Sequence, residues 1–177
     1  MNWLIALLSG HSSYITHLDW SEDSQYIRSN SGDYEVLFWN ATTCRQVTSV
    51  ATTRDIRWAT NYCPISFSTV GVWPESADGT DINSCTRSHD CRLAATGDDF
   101  GKVKLYAYPV TQPKGKVLSM CDRCNEGRLV VVVVVQSLCH QHAGHAAHVT
   151  SVRFLHDSSR LLSAGGRDAA LAQWLVD

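Results

Sequence analysis

No stretch of this chain approaches the ~20 consecutive apolar residues that a membrane-spanning helix requires. Its valine run, residues 130–135 preceded by Leu129, amounts to seven. Residues 1–8 are apolar but lack the basic region of a secretory leader, so they read as an atypical lead-in strand. Charge is scarce and nearly balanced: 15 basic and 17 acidic residues leave a net charge of -2. That removes any general pull toward nucleic acid or an anionic membrane. No phosphate-cradling glycine loop, pair of catalytic carboxylates or basic-aromatic pattern is found, so the chain reads as neither an enzyme nor a nucleic-acid binder. Cysteine is not scarce, but the seven are odd in number and scattered through strand-like segments. They read as reduced, mostly buried thiols, which favours the cytosol.

What is present is repetition. Gly10-His11 leads to Phe38-Trp39, and Gly144-His145 leads to Gln173-Trp174, with Asp33 and Asp168 each six residues before the closing Trp. A Gly-His pair, two strands, a Gly/Ser turn carrying Asp and a third strand ending in Trp is the pattern of a WD-repeat propeller blade. A weaker middle copy opens at Ser88-His89, turns at Gly97-Asp98-Asp99 and ends at Leu105-Tyr106, seven residues after Asp99.

Alternation and turn residues predict strands over 15–20, 26–29, 36–39 and 46–50 in the first copy. The second is expected over 82–87, 92–96 and 103–108, the third over 149–154, 160–164 and 170–175. Residues 56–67, rich in Trp, Tyr, Ile and Phe, are expected to hold one or two further short strands. The valine run suits an outer strand of the second blade, since β-branched side chains favour a pleated surface. Unpaired, such a run associates edge to edge. The last blade is expected to await a fourth strand.

Two strings go beyond generic WD grammar, Gly71-Val72-Trp73-Pro74-Glu75 and Asp78-Gly79-Thr80-Asp81-Ile82-Asn83, and the segments 10–21, 29–35, 98–109 and 148–168 with 173–174 stand around them. In these the chain resembles the echinoderm microtubule-associated protein-like family. The resemblance implies a paired-propeller parent with an amino-terminal coiled coil, binding to tubulin or microtubules, and a place in the cytoplasm and cytoskeleton. It also implies that this chain holds about the last three blades of the second propeller. Residues 115–141, with Cys121-x-x-Cys124 and the valines, interrupt the resemblance and look like alternative-transcript sequence, as does the lead-in.

Two constellations invite chemistry. His11 with Asp33 and Trp39, and His145 with Asp168 and Trp174, pair an imidazole with a carboxylate as a hydrolase would. The preferred reading is structural: by the family pattern these residues, with Ser29 and Ser163 of the middle strands, form a buried hydrogen-bonded network that fixes register. No Ser or Cys nucleophile is apparent at matching positions in each repeat. The second constellation is Cys121, Cys124, Cys139 and His142, a Zn²⁺-type ligand set. It lies inside the insert and is kept as a weaker alternative, with no cofactor expected. Trp58, Tyr62 and Trp73 read as core before surface.

The expected fold is therefore all-β: a partial WD-repeat β-propeller of about three four-stranded antiparallel blades, open and not closed. Its expected segments are a lead-in over 1–9, two blades with an extra-strand connection over 10–114, the insert over 115–141 and a final blade over 142–177. The expected activity is noncatalytic protein–protein interaction, with tubulin or microtubules as partner by resemblance. Other propeller blades are candidate partners through the open edges, and nucleic acid and membrane are not. The alternatives are a truncated isoform with little independent function and a zinc-binding module. Contacts are expected on the rim loops 21–24, 73–81 and 98–101, because loops on a rigid scaffold carry function.

Overall fold

The computed structural model describes residues 4–73, 81–111, 119–120, 123–125, 128–131, 133–134 and 142–176. Its strands in chain order are β1 (Ile15–Trp20), β2 (Tyr26–Ser31), β3 (Val36–Asn40), β4 (Arg45–Gln46), β5 (Ile82–Arg87), β6 (Leu93–Asp98) and β7 (Lys102–Ala107). There follow β8 (Ser119–Met120), β9 (Arg123–Asn125), β10 (Arg128–Val131), β11 (Val133–Val134), β12 (His142–Ala143), β13 (Val149–Phe154), β14 (Arg160–Gly165) and β15 (Leu171–Val176). One four-residue helix, α1 (Val50–Thr53), and a 3₁₀ turn (Val70–Val72) are the helical elements among the described residues. The fold is all-β, a partial propeller whose described blade sheets do not close on themselves.

The three blades follow one plan. β1-β2-β3-β4, β5-β6-β7-β12 and β13-β14-β15 are antiparallel ladders. Each has a bulge early in its first strand, between Ile15 and His17, Ile82 and Ser84, and Val149 and Ser151. A bulge adds a residue and tightens the local twist, which re-aims the side chains that follow. The first turn of each blade is also the same. Asp23, Asp90 and Asp157 each accept a backbone N–H two residues on, and Ser24, Cys91 and Ser158 take positive φ. An Asp side chain that mimics a backbone turn explains why this corner recurs with little other identity.

The chain forms two compact units, Met1–Phe67 and Ser68–Asp177. In the first, the four-stranded sheet is covered by residues 56–67, which form no named strand. They meet the sheet at the single bridge between Ser21 and Trp58 and through side-chain hydrogen bonds. The outer strand expected over 46–50 is β4, two residues long, and the last residue of that expected range, Val50, instead opens α1, where the Ser49 hydroxyl accepts the Thr52 N–H and caps the turn.

In the second unit, Ala95, Val103 and Leu105 of the second blade pack on Val149, Val152, Leu161 and Trp174 of the third. None is more than 1% exposed. Each Leu or Val so buried contributes about 1.5–3 kcal/mol. A second cluster, Val72, Ile82, Ala94, Tyr106 and Val110, lies on the opposite side of the second blade.

The valine run does not complete the second blade. That place is taken by β12, which pairs with β7 at His142↔Val103 and Ala143↔Lys102. Part of the run instead forms β10, which lies parallel to β15 at Val130↔Leu175 and Val131↔Val176, so the edge expected to stand open is paired.

Candidate functional site

The Gly-His pairs, middle strands and Trp-ending strands converge in the first and third blades. His11 Nδ1 lies 2.9 Å from Asp33 Oδ2, and its Nε2 lies 2.8 Å from Ser29 Oγ. Trp39 Nε1–H donates to the same hydroxyl at 2.9 Å. In the third blade the corresponding distances are 3.0 Å for His145–Asp168, 2.8 Å for His145–Ser163 and 2.8 Å for Trp174–Ser163. Register explains the meeting: Ser29 faces Leu37 and Ser163 faces Ala172, each two residues before the Trp that lies on the same side of the sheet.

The donor inventory assigns the protons. Indole N–H can only donate and an ionised carboxylate can only accept, so the neutral form of the imidazole is assigned its proton on Nδ1, with Nε2 accepting the serine hydroxyl proton. Each Asp also closes a turn. Asp33 accepts the N–H groups of Ser12 and Glu35 at 2.9 and 3.0 Å, and Asp168 those of Ala146 and Ala170 at 3.0 and 3.2 Å. Burial works to raise the pKa of Asp33, but the Glu35 and Ser12 N–H groups and the His11 ring outweigh it and bring it down to about 2. Asp168 is lowered in the same way, burial opposed by Ala170, His145 and Ala146. The glycines that precede the histidines sit under the indoles. A Cβ on Gly10 would lie 3.0 Å from Trp39 Cη2, and one on Gly144 would overlap Trp174 Cη2.

Asp, His and Ser thus stand in the order of a hydrolytic triad in the first and third blades, while Thr96 takes the serine position in the second. Ser29 is 6% and Ser163 1% exposed, and each Oγ already accepts an indole N–H. A nucleophile must present a lone pair to a substrate within reach, and the burial of these hydroxyls leaves no open approach to the lone pair that the indole does not occupy.

The second blade is built differently. Ser88-His89 does not stand in the Gly-His place: it is the corner between β5 and β6, where Ser88 Oγ accepts the Leu93 N–H at 2.9 Å as Ser21 Oγ accepts that of Tyr26. The Gly-His counterpart falls within residues 74–80, outside the described residues. Thr96 and Tyr106 fill the Ser and Trp positions, both buried. Asp98 accepts the Phe100 and Lys102 N–H groups and pairs with Lys104 Nζ at 3.0 Å.

Sequence reasoning missed a buried ion pair in the first unit. Arg28 Nη2 and Asp19 Oδ2 are 2.9 Å apart, with side chains 2% and 0% exposed. Arg28 also donates to Asn61 Oδ1 at 2.7 Å and lies over the Trp58 ring at 4.6 Å. Asp19 accepts the Tyr62 and Cys63 N–H groups. Burial pushes its pKa up, but Arg28, Thr60 and those two N–H groups win and lower it. Only the strand register, which sets Asp19 opposite Arg28, could have revealed the pair. Trp58 is buried, and Tyr62 and Trp73 are half-buried.

Of the zinc-type set, Cys121 and Cys139 lie outside the described residues, while Cys124 belongs to β9 and His142 to β12, in different sheets. Among the described residues no group of three or more His, Cys, Asp or Glu is placed to hold a metal ion. Of the rim loops, residues 21–24 join first to second strand and 98–101 join second to third. Within a blade, connections of these two kinds lie at opposite ends of the middle strand.

Residues 4–176 match the family model described as the echinoderm microtubule-associated protein second beta-propeller. The chain belongs to the echinoderm microtubule-associated protein-like family. The matched range starts within the lead-in and runs across the insert. Over 168 residues, 95% of this chain, it is 48% identical to echinoderm microtubule-associated protein-like 2 of Rattus norvegicus and 49% identical to echinoderm microtubule-associated protein-like 1 of Homo sapiens. It is 46% identical to the 77 kDa echinoderm microtubule-associated protein of Lytechinus variegatus. The chain spans about a fifth of the length of these relatives, 22%, 18% and 22% respectively. Two solved structures share the fold at low identity. A chain of the mitotic checkpoint complex has a TM-score of 0.60 at 17% identity, covering 97% of this chain and 52% of that one. The computationally designed Ika4 protein has a TM-score of 0.54 at 15% identity over the whole of both chains.

Proposed function

We propose that this chain is a noncatalytic interaction module that associates with tubulin or microtubules in the cytoplasmic cytoskeleton. The observation that carries the reading is its 46–49% identity, across 95% of its length, to proteins named as microtubule-associated. The site chemistry supports it, since both Asp-His-Ser sets spend their serine hydroxyls on indoles. His11, Ser29, Asp33 and Trp39, with His145, Ser163, Asp168 and Trp174, act as devices that hold turn, middle strand and third strand in one register. Contact with the partner is made by the connections between strands, 21–24, 73–81 and 98–101. A net charge of -2 offers no general attraction to nucleic acid or anionic lipid, so neither is a proposed partner. The working segments are the lead-in over 1–9, the blades over 10–114 and 142–177, and the insert over 115–141 as an accessory to them.

Co-sedimentation with assembled microtubules tests this, using the full chain and the chain lacking residues 115–141, each checked for a cooperative melt. Both are expected to pellet saturably above a control protein. If neither does while both are folded, the reading fails.

A further inference from the structure

Within the second unit, the corners that join first to second strand bring two imidazoles together. Ser88-His89-Asp90-Cys91 of the second blade and Leu155-His156-Asp157-Ser158 of the third are the same turn. In each, the N–H of the fourth residue donates to the carbonyl of the first, at 3.0 and 2.9 Å, and the fourth residue takes positive φ. His89 and His156 therefore hold one position, just before the turn Asp, in neighbouring blades. The first blade has Glu22 there, so the histidine pair is particular to this joint and is not part of the common blade plan.

The two corners touch. The His89 N–H donates to Ser158 Oγ at 3.0 Å, and the rings lie with centroids 4.9 Å apart and planes tilted by 37°. Both residues are exposed, and among the described residues neither ring has a hydrogen-bond partner. A zinc ion takes histidine nitrogens at about 2.0–2.1 Å in tetrahedral geometry, which sets the centroids of two ligating rings roughly 5 Å apart. The observed separation meets that spacing, on backbone already fixed by the turns. The neighbouring carboxylates are engaged: Asp90 Oδ1 accepts the Ser88 hydroxyl and the Arg92 N–H, and Asp157 Oδ1 accepts the Ser159 hydroxyl and N–H.

We propose that His89 and His156 form a two-imidazole site for a divalent ion of the zinc, nickel and copper class, bridging the corners of two blades. The ligand type selects the ion, since imidazole suits these metals whereas Mg²⁺ and Ca²⁺ take oxygen. Among the described residues no third His, Cys, Asp or Glu is placed to join the pair, so water fills the remaining positions and the ion exchanges readily. An ion that binds the folded chain through both corners stabilises the joint between the blades by mass action. The site uses none of Cys121, Cys124, Cys139 and His142, and it is independent of microtubule binding.

The full chain, with Cys121, Cys124 and Cys139 each changed to Ser to remove competing thiolates, is titrated with Zn²⁺ while the histidine ring signals are followed by nuclear magnetic resonance. The His89 and His156 signals are expected to shift together and saturably below about 1 mM Zn²⁺, with a higher melting midpoint, and Mg²⁺ should move neither. His89→Gln and His156→Gln, both at exposed positions, should leave the metal-free melt unchanged. Each should weaken the Zn²⁺ response of the remaining partner ring by at least about tenfold. Ring signals that stay put up to that concentration overturn the proposal. So do single variants whose remaining ring binds Zn²⁺ like the parent, which would show that the two imidazoles do not share one ion.

Discussion

Arg28 keeps a guanidinium in the interior of the first unit, and its worth depends on what is removed with it. A buried ion pair broken on one side leaves a charge without compensation, at a cost of about 3–5 kcal/mol, whereas replacing both partners by apolar groups is often neutral. Arg28→Ala is therefore expected to destabilise the first unit by about that amount. The double variant Asp19→Asn with Arg28→Met removes both charges while an amide oxygen still accepts the Tyr62 N–H, and should recover part of the loss in denaturant melts. The blade aspartates predict a second behaviour. Asp33 falls from an ordinary 3.8 to about 2 in the folded chain, and Asp168 is lowered in the same sense. A carboxyl with a depressed folded pKa stabilises the fold above its ordinary value, and that stabilisation is lost as pH falls through the folded value. Melting temperature should thus drop between about pH 4 and pH 2. In Asp33→Asn the drop should be shallower, as read by thermal scans at fixed salt.

At the scale of elements, the blades depend on how closely a loop passes an indole. A methyl on Gly144 would overlap the Trp174 ring, while one on Gly10 would only touch that of Trp39 at 3.0 Å. Overpacking a filled site costs about 1–3 kcal/mol, so Gly144→Ala should lower the unfolding midpoint clearly more than Gly10→Ala. The first and third sheets were legible in sequence because Gly, His, Asp and Trp sit at spacings that a three-strand blade imposes. The middle sheet misled. Ser88-His89 imitates the Gly-His signal but performs the corner chemistry of Ser21, a distinction that only backbone hydrogen bonds make. Residues 56–67 misled for another reason. Their aromatic content suits a strand, yet the Tyr62, Cys63 and Ile65 N–H groups are taken by the side chains of Asp19 and Asn30. Such partners lie more than thirty residues away in sequence, and no local pattern records them.

At the scale of the whole molecule, the two compact units bury their interiors by different means. The first relies on aromatic rings and a polar network beneath a covering segment; the second relies on aliphatic side chains shared by two sheets.

The exchange of Trp for Tyr in the middle blade has a spectroscopic consequence. Trp39 and Trp174 each place an indole N–H on a serine hydroxyl, whereas Tyr106 stands at that position in the second sheet. In a nitrogen-15 spectrum those two indole signals report separately on the first and third sheets, one from each compact unit, while the sheet between them contributes no signal from that position. The chain thus carries its own labels for following which blade opens first.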